Sequence, residues 1–363
     1  MSKNKTKKSP NKKILYLIEN GKSAQFRYRA KNVAEALGGS GWEAKWVRKR
    51  NLDKIELSEF DLIVILRQTD KDGTIGRFIK KARDAGKNVV FDLDDLIFDY
   101  RYIRALMKGT NSKNLLYWVG YVWGVKRIAK KVDGFICTNN FLADRLRQNF
   151  KKPVKVVRNS LNQRQVEVSN ECVKKQTSRK GKDKWFRIGY FSGSPTHAKD
   201  FAMIEPELVK FLEEHEDVKM KVMGYMSFSS QMQELINAGW VEVGGPVNYL
   251  RLQELISKVD VSIAPLVLSD FSNCKSELKF FEAAVVETTT IASPNYSFKK
   301  AITDGKNGFL AKPGEWYQKL EYLYNHPEEN RKIALEAKKY ALKHYYGEEF
   351  LEEVEEAYDY FAK

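Results

Sequence analysis

Short, continuously apolar runs recur along this chain, separated by stretches with the three-to-four-residue spacing of amphipathic helices. In the first half the runs are Ile14–Ile18, Leu62–Leu66, Val89–Phe91, Gly134–Cys137 and Val154–Val157. Helical spacing covers Phe26–Leu37, Gly76–Ala85 and Phe141–Asn149. Strands without polar alternation are buried on both faces, and a strand–helix–strand rhythm places them in a parallel sheet covered by helices. The rhythm stops at Glu167–Trp185, which is rich in Lys, Ser, Asn and Gln and reads as a linker or exposed loop. It restarts with Ile188–Phe191, Val218–Met223, Val241–Val243, Val259–Ala264 and Thr290–Ser293. Helices are expected over Phe201–Glu214, Tyr249–Ser257 and Ser276–Val286. Two helical stripes close the chain, one through Ile333, Ala337 and Ala341, the other through Leu351, Val354, Tyr358 and Phe361, with Gly347 as the break between them.

The pattern predicts an α/β chain of two Rossmann-like domains. A basic disordered tail covers 1–12, a first domain 13–165, a linker 166–185, a second domain 186–345 and a closing helix 346–363. A length of 363 residues suffices for two separate cores. Charge divides along the same boundary. Residues 1–165 carry 37 Lys and Arg against 16 Asp and Glu, whereas residues 186–363 carry 20 against 28. A cationic first half implies an anionic partner: a membrane surface, a lipid-phosphate acceptor or nucleic acid.

Cys137, Cys172 and Cys274 are far apart and only four histidines occur, so neither a zinc spacing nor a disulfide framework is visible. The first residues, MSKNKTKKSPNKK, are basic and polar with no apolar stretch behind them long enough to be cleaved or to span a membrane, and the expectation is a cytoplasmic protein. The longest apolar-aromatic run, Leu115–Val125, falls short of the ~20 residues of a bilayer crossing. It lies within residues 101–131, where Leu, Tyr and Trp mix with Lys and Arg. That mixture suits a helix at the headgroup level of an anionic membrane, and equally an amphipathic helix packed on its own sheet.

Residues 273–293, NCKSELKFFEAAVVETTTIAS, lead from a loop through a helix into a short strand. Helix starts beyond the ends of parallel strands suit phosphates. Lys275, Lys279 and Glu282, spaced i, i+4 and i+7, are expected on one helical face. Two ammonium groups above a deeper carboxylate would suit a nucleoside diphosphate; a solvated face with a local Lys–Glu pair fits the spacing as well.

FEAAVVETTTIAS (281–293) resembles the EAMACGxPVVAS segment of retaining GT-B glycosyltransferases of the large family-4 group. The stretches VVRNSLN (156–162), IGYFSGSPTHAKDF (188–201) and AITDGKNGFLAKPGEWYQKLEYLYNHPEENRKIALEAKKYALKHY (301–345) resemble further segments of that family, so the likeness covers most of residues 130–345. The resemblance implies a GT-B fold, with two Rossmann-like domains facing across a cleft. It implies a retaining transferase whose donor is a nucleotide sugar, with no metal or other cofactor. The acceptor would be a glycan or a lipid-linked or protein-linked one. It places Glu282 on the donor ribose. The family's other motif glutamate falls at Cys274. A surface-polysaccharide subgroup shows a pattern close to Asn273, Lys275, Ser276, Lys279 and Glu282, in which the lysines bind the anion. Gly193, Ser194 and Lys199 match the diphosphate-binding pair without its arginine, and Gly193, Ser194 and Thr196 would turn the backbone toward a phosphate. His197 lies in the same loop and is a cleft candidate.

Asp92, Asp94, Asp95 and Asp99 follow one strand in FDLDDLIFD. Asp92-Leu93-Asp94 has the form of a metal-binding DxD, but two Rossmann rhythms argue against that use. Crowded carboxylates repel, so arginines such as Arg27, Arg29, Arg101 or Arg104 are expected beside them, unless they contact acceptor hydroxyls. Asp95 is the candidate for the acceptor side, with His197 and Lys279 as the other reactive groups. Arg27 and Arg29 could instead bind an acceptor phosphate. Competing readings are a non-catalytic GT-B subunit that holds an acceptor or partner transferase, and a GT-B epimerase. Nucleic-acid binding lacks a motif with aromatic interleaving.

Overall fold

The computed structural model describes residues 12–109, 114–177, 184–193, 198–224 and 226–362. Two six-stranded sheets organise it, each wholly parallel. The first contains β1 (Lys12–Ile18), β2 (Trp42–Arg48), β3 (Leu62–Leu66), β4 (Asn88–Leu93), β5 (Gly134–Cys137) and β6 (Val154–Val156) in the order β2-β1-β3-β4-β5-β6. The second contains β7 (Phe186–Phe191), β8 (Val218–Met223), β9 (Val241–Gly244), β10 (Val261–Ala264), β11 (Thr289–Ala292) and β12 (Phe309–Leu310) in the order β12-β11-β10-β7-β8-β9. Most of the apolar runs are inner strands, with Val154–Val157 and Val241–Val243 forming the edge strands β6 and β9, and helices cover both faces of each sheet.

Where an exposed loop was expected, the chain forms a helix over Gln163–Thr177. Its few apolar residues, Val166, Val168 and Cys172, are buried against Leu255 and Ile256 of the second domain. Two of its buried polar residues bond to that domain: Ser169 donates to Gln253 (3.0 Å) and Gln176 to the Ser257 carbonyl (2.8 Å). The polar composition that resembled a linker thus belongs to a helix with one face packed on the second domain and most of its other polar residues in solvent.

The closing helix, Glu348–Phe361, returns to the first sheet. Phe350, Val354, Tyr358 and Phe361 pack with Ile14, Tyr16, Val90 and Ile136. A Cβ on Gly134 would lie 2.3 Å from the Phe361 ring, which is why that strand position has no side chain.

Beneath the end of β4, the fully buried Arg29 forks onto both carboxylate oxygens of Asp92 at 2.9 Å and donates to the Val157 carbonyl at 2.6 Å. This buried, fully hydrogen-bonded pair ties the first helix to the sheet. Arg29 is therefore committed to the first domain's interior and is not free for an acceptor phosphate.

Candidate functional site

The first helical segment holds a wider, π-type turn at Arg27–Lys31 between Ala24–Phe26 and Asn32–Gly38. Such turns re-aim successive side chains. Here Arg29 turns inward to Asp92, while Arg27 and Tyr28 cross to the second domain. Tyr28 donates its hydroxyl to Glu282 in a short hydrogen bond and meets the Phe281 ring edge-on at 6.2 Å. The Arg27 guanidinium lies between the rings of Tyr28 (4.3 Å) and Tyr249 (4.1 Å), with Nη2 3.9 Å from Glu282. Its Nε and Nη1 are buried without a hydrogen-bond partner among the described residues.

Glu282 sits on the helix Leu278–Ala284. Burial raises its carboxyl above the ordinary range, opposed by Arg27, Tyr28 and Lys279. Lys279, one turn earlier on that helix, places Nζ 4.6 Å over the Tyr190 ring at the end of β7. That ammonium is shielded from solvent and hydrogen-bonds to nothing among the described residues. Burial pushes it down to about 8, against the opposing pull of Asp200 and Glu282.

The expectation that Lys275 shares this helical face does not hold. The helix begins at Leu278, so Lys275 lies in the preceding loop and points to the first domain, where Nζ meets Asp95 at 2.6 Å. Ser276 accepts a hydrogen bond from Asn159 at 2.8 Å. Asn139 reaches the Asn273 carbonyl (3.2 Å) and Ser297 (3.0 Å), and Tyr102 donates to Asp270 (2.5 Å). The loop before the helix is therefore clasped by the first domain. Cys274 is fully buried there, packed with the first domain's core.

The aspartates find cations, as crowding demands, though partly other ones than expected. Asp95 binds Arg67 (2.7 Å) as well as Lys275, and Asp94 binds Arg67 (3.2 Å). Asp99 pairs with Arg101. Burial would raise the Asp95 carboxyl, but Lys275 and Arg67 outweigh it and hold it below the ordinary range. Among the described residues no cluster of His, Cys, Asp or Glu is arranged to hold a metal ion.

Ser194, Thr196 and His197 lie outside the described residues. Gly193 is exposed with open space around it, and Lys199 is exposed on the short helix Ala198–Ala202. The glycine that close approach does require is Gly224, at the end of β8. Its φ is +121°, and a Cβ would lie 2.0 Å from the Ser192 carbonyl oxygen. Sequence reasoning missed Tyr28, Tyr249, Arg67, Asn139 and Asn159. Tyr28 carried a hint as the neighbour of Arg27, and Asn159 lies in the family-like stretch VVRNSLN.

Residues 187–326 match the model of the family described as Glycosyl transferases group 1. The second domain is similar to this family over that stretch. Both sheets together have the GT-B fold. Anabaena HepE, solved in complex with UDP and glucose, superposes with a TM-score of 0.65 over 96% of this chain and 100% of that one, at 14% identity. Sucrose-phosphate synthase from Thermosynechococcus elongatus does so with a TM-score of 0.67 over 96% and 98%, at 12% identity. A 95-residue stretch is 34% identical to the putative glycosyltransferase EpsD of Bacillus subtilis (strain 168). It spans 25% of this chain and 24% of that relative, so only about a quarter of EpsD is matched. Lys279 and Glu282 lie in the stretch that matches this family, whereas Arg27, Tyr28, Arg67 and Asp95 come from the other half.

Proposed function

We propose that the protein is a retaining glycosyltransferase that moves a hexosyl group from a nucleotide sugar held between the domains. The acceptor is a cell-surface glycan, or a lipid-linked or protein-linked one. One observation carries the reading: two cations, Arg27 and Lys279, are shielded from water with unused hydrogen-bond donors on either side of Glu282. Buried donors without acceptors are costly, and an anionic ligand relieves them.

In this reading the ribose hydroxyls replace the Tyr28 hydroxyl on Glu282. Arg27 and Lys279 take the diphosphate and stabilise charge as it departs, which is the main contribution protein groups make to such chemistry. Lys275 and Ser276 join them when the loop exchanges Asp95 and Asn159 for the donor. Gly193 and Lys199 serve the diphosphate side; Ser194 and His197, outside the described residues, are assigned to the diphosphate and to the transferred sugar from the sequence resemblance alone. Asp95, released from Lys275, faces the acceptor hydroxyl. The chain's own cations supply what a metal would, so none is required. Closure of the domains orients the reactants and excludes water.

A thermal-shift screen over UDP-, GDP- and dTDP-sugars tests this. A specific donor raises the melting temperature by mass action, by several degrees at ligand well above Kd. The absence of any shift across the screen contradicts the reading. A non-catalytic subunit is the second reading, favoured by Cys274, which puts a buried thiol where the family has a carboxylate; slow release of nucleoside diphosphate from the donor decides for the enzyme.

No helix among the described residues is long and apolar enough to cross a membrane. The helix Leu115–Lys131 buries Trp118, Val122, Val125 and Ile128 but exposes Leu115, Leu116, Tyr117, Val119 and Trp123 beside Lys126 and Arg127. This face suits peripheral attachment to the anionic inner face of the cell membrane. Co-sedimentation with anionic vesicles should be lost in Leu116→Asp/Trp123→Asp; unchanged sedimentation of the double variant contradicts attachment through this face.

A further inference from the structure

The carboxyl ends of β1, β2 and β3 surround a cavity of about 390 Å³ that the donor reading does not use. It opens beside the helix Leu115–Lys131, whose Tyr117 and Tyr121 form one wall. Among the described residues, Arg48, Arg50 and Lys71 line it without carboxylate partners, against a single lining carboxylate, Glu19. Lys71 rests over the Tyr117 ring at 5.0 Å. Gln68, 7% exposed, is one of the lining residues, and its buried Nε2 has no hydrogen-bond partner among the described residues. Arg67 forms the wall shared with Asp94 and Asp95, and its φ of +32° is a left-handed conformation that a non-glycine residue adopts only at a cost.

We propose that this cavity binds a phosphate monoester or diphosphate group carried by the acceptor. The inference rests on the reading of the chain as a glycosyltransferase and names the acceptor's chemical class. Three cations facing one carboxylate leave an excess that a single sugar carboxylate does not fill, whereas a phosphoryl group of two or more charges does. Guanidinium forks match several phosphate oxygens at once. The position follows the same logic. Arg67 separates the cavity from Asp95, and Asp95 touches Lys275, so an anion held at Arg48 and Arg50 leaves the rest of the acceptor to reach toward the donor side.

The test is titration calorimetry of sodium pyrophosphate into protein saturated with UDP, so that the donor site is closed to the probe. Binding should weaken by at least about tenfold in Arg48→Ala/Arg50→Ala, both exposed residues, with UDP affinity unchanged within about twofold. Increasing salt should weaken it further. Pyrophosphate binding that is absent, or unaffected by the double variant, overturns the proposal. Should UDP itself fail to bind while pyrophosphate binds and responds to the double variant, the donor reading falls and the subsite stands. Two further arms identify the anion's source: preference for dodecyl phosphate in phosphatidylcholine vesicles assigns the group to a lipid, and equal binding of soluble glucose 1-phosphate assigns it to a free one. Both support the subsite if they respond to Arg48→Ala/Arg50→Ala.

Discussion

Glu282→Ala is expected to weaken UDP binding by about 100-fold or more. A buried carboxylate that accepts two ribose hydroxyls makes charge-assisted hydrogen bonds worth about 1.5–3 kcal/mol each. Its removal also strips Arg27 of its nearest anion, at 3.9 Å, and leaves the Tyr28 hydroxyl without its acceptor. Glu282→Gln keeps the volume and one acceptor oxygen but not the charge, and should fall between, at about tenfold. Calorimetric titration with UDP measures both, and melting without ligand checks that each variant is folded. A UDP affinity in Glu282→Ala within about twofold of the parent would remove this carboxylate from the site.

Lys279→Ala should lower kcat by about 100- to 1,000-fold, the usual loss when one preorganised partner of developing charge is removed. The larger part should appear in kcat rather than in KM, because the leaving diphosphate bears more charge in the transition state than in the bound donor. The pH dependence carries a sign that separates this role from simple packing. In the free enzyme burial holds the Lys279 ammonium at about 8, so it is charged below that pH and increasingly neutral above it. Diphosphate binding favours the charged form, so binding takes up a proton above pH 8. Hence kcat/KM should be level below about pH 8 and fall above it, by about tenfold per pH unit. Lys279→Arg keeps its charge throughout and should lose that falling limb. A parent profile flat to pH 10 on the ~3-unit scale of such burial effects would contradict the assignment.

Much of the fold was legible because parallel strands buried on both faces must be continuously apolar. Leu62–Leu66 and Gly134–Cys137 end where their apolar runs end. Two strands gave no such signal. β2 is an edge strand whose Glu43, Lys45, Trp46 and Arg48 face solvent, and β12 has only two residues. The helix Gln163–Thr177 was hidden for another reason: its polar composition gives a weak apolar stripe, and its packed face is set by Ser169 and Gln176 bonding to a domain far along the chain. The site divides in the same way. Lys279 and Glu282 lie one turn apart on the helix Leu278–Ala284, a relation their spacing alone predicts. Lys275 was misplaced because the helix begins at Leu278, after a loop held by Asp95 and Asn159. Tyr28, Tyr249 and Arg67 acquire meaning only when the two sheets meet, and no local spacing encodes that meeting.

The proposed nucleotide lodges between the two domains, with its ribose on Glu282 and its phosphates beside Lys279 and Arg27. A crystal structure of the protein with UDP is the decisive experiment. It should show ribose density within hydrogen-bond distance of the Glu282 carboxylate, the Tyr28 hydroxyl displaced from it, and phosphate oxygens against Lys279 Nζ. UDP bound elsewhere, with the Tyr28–Glu282 contact intact, would contradict that placement.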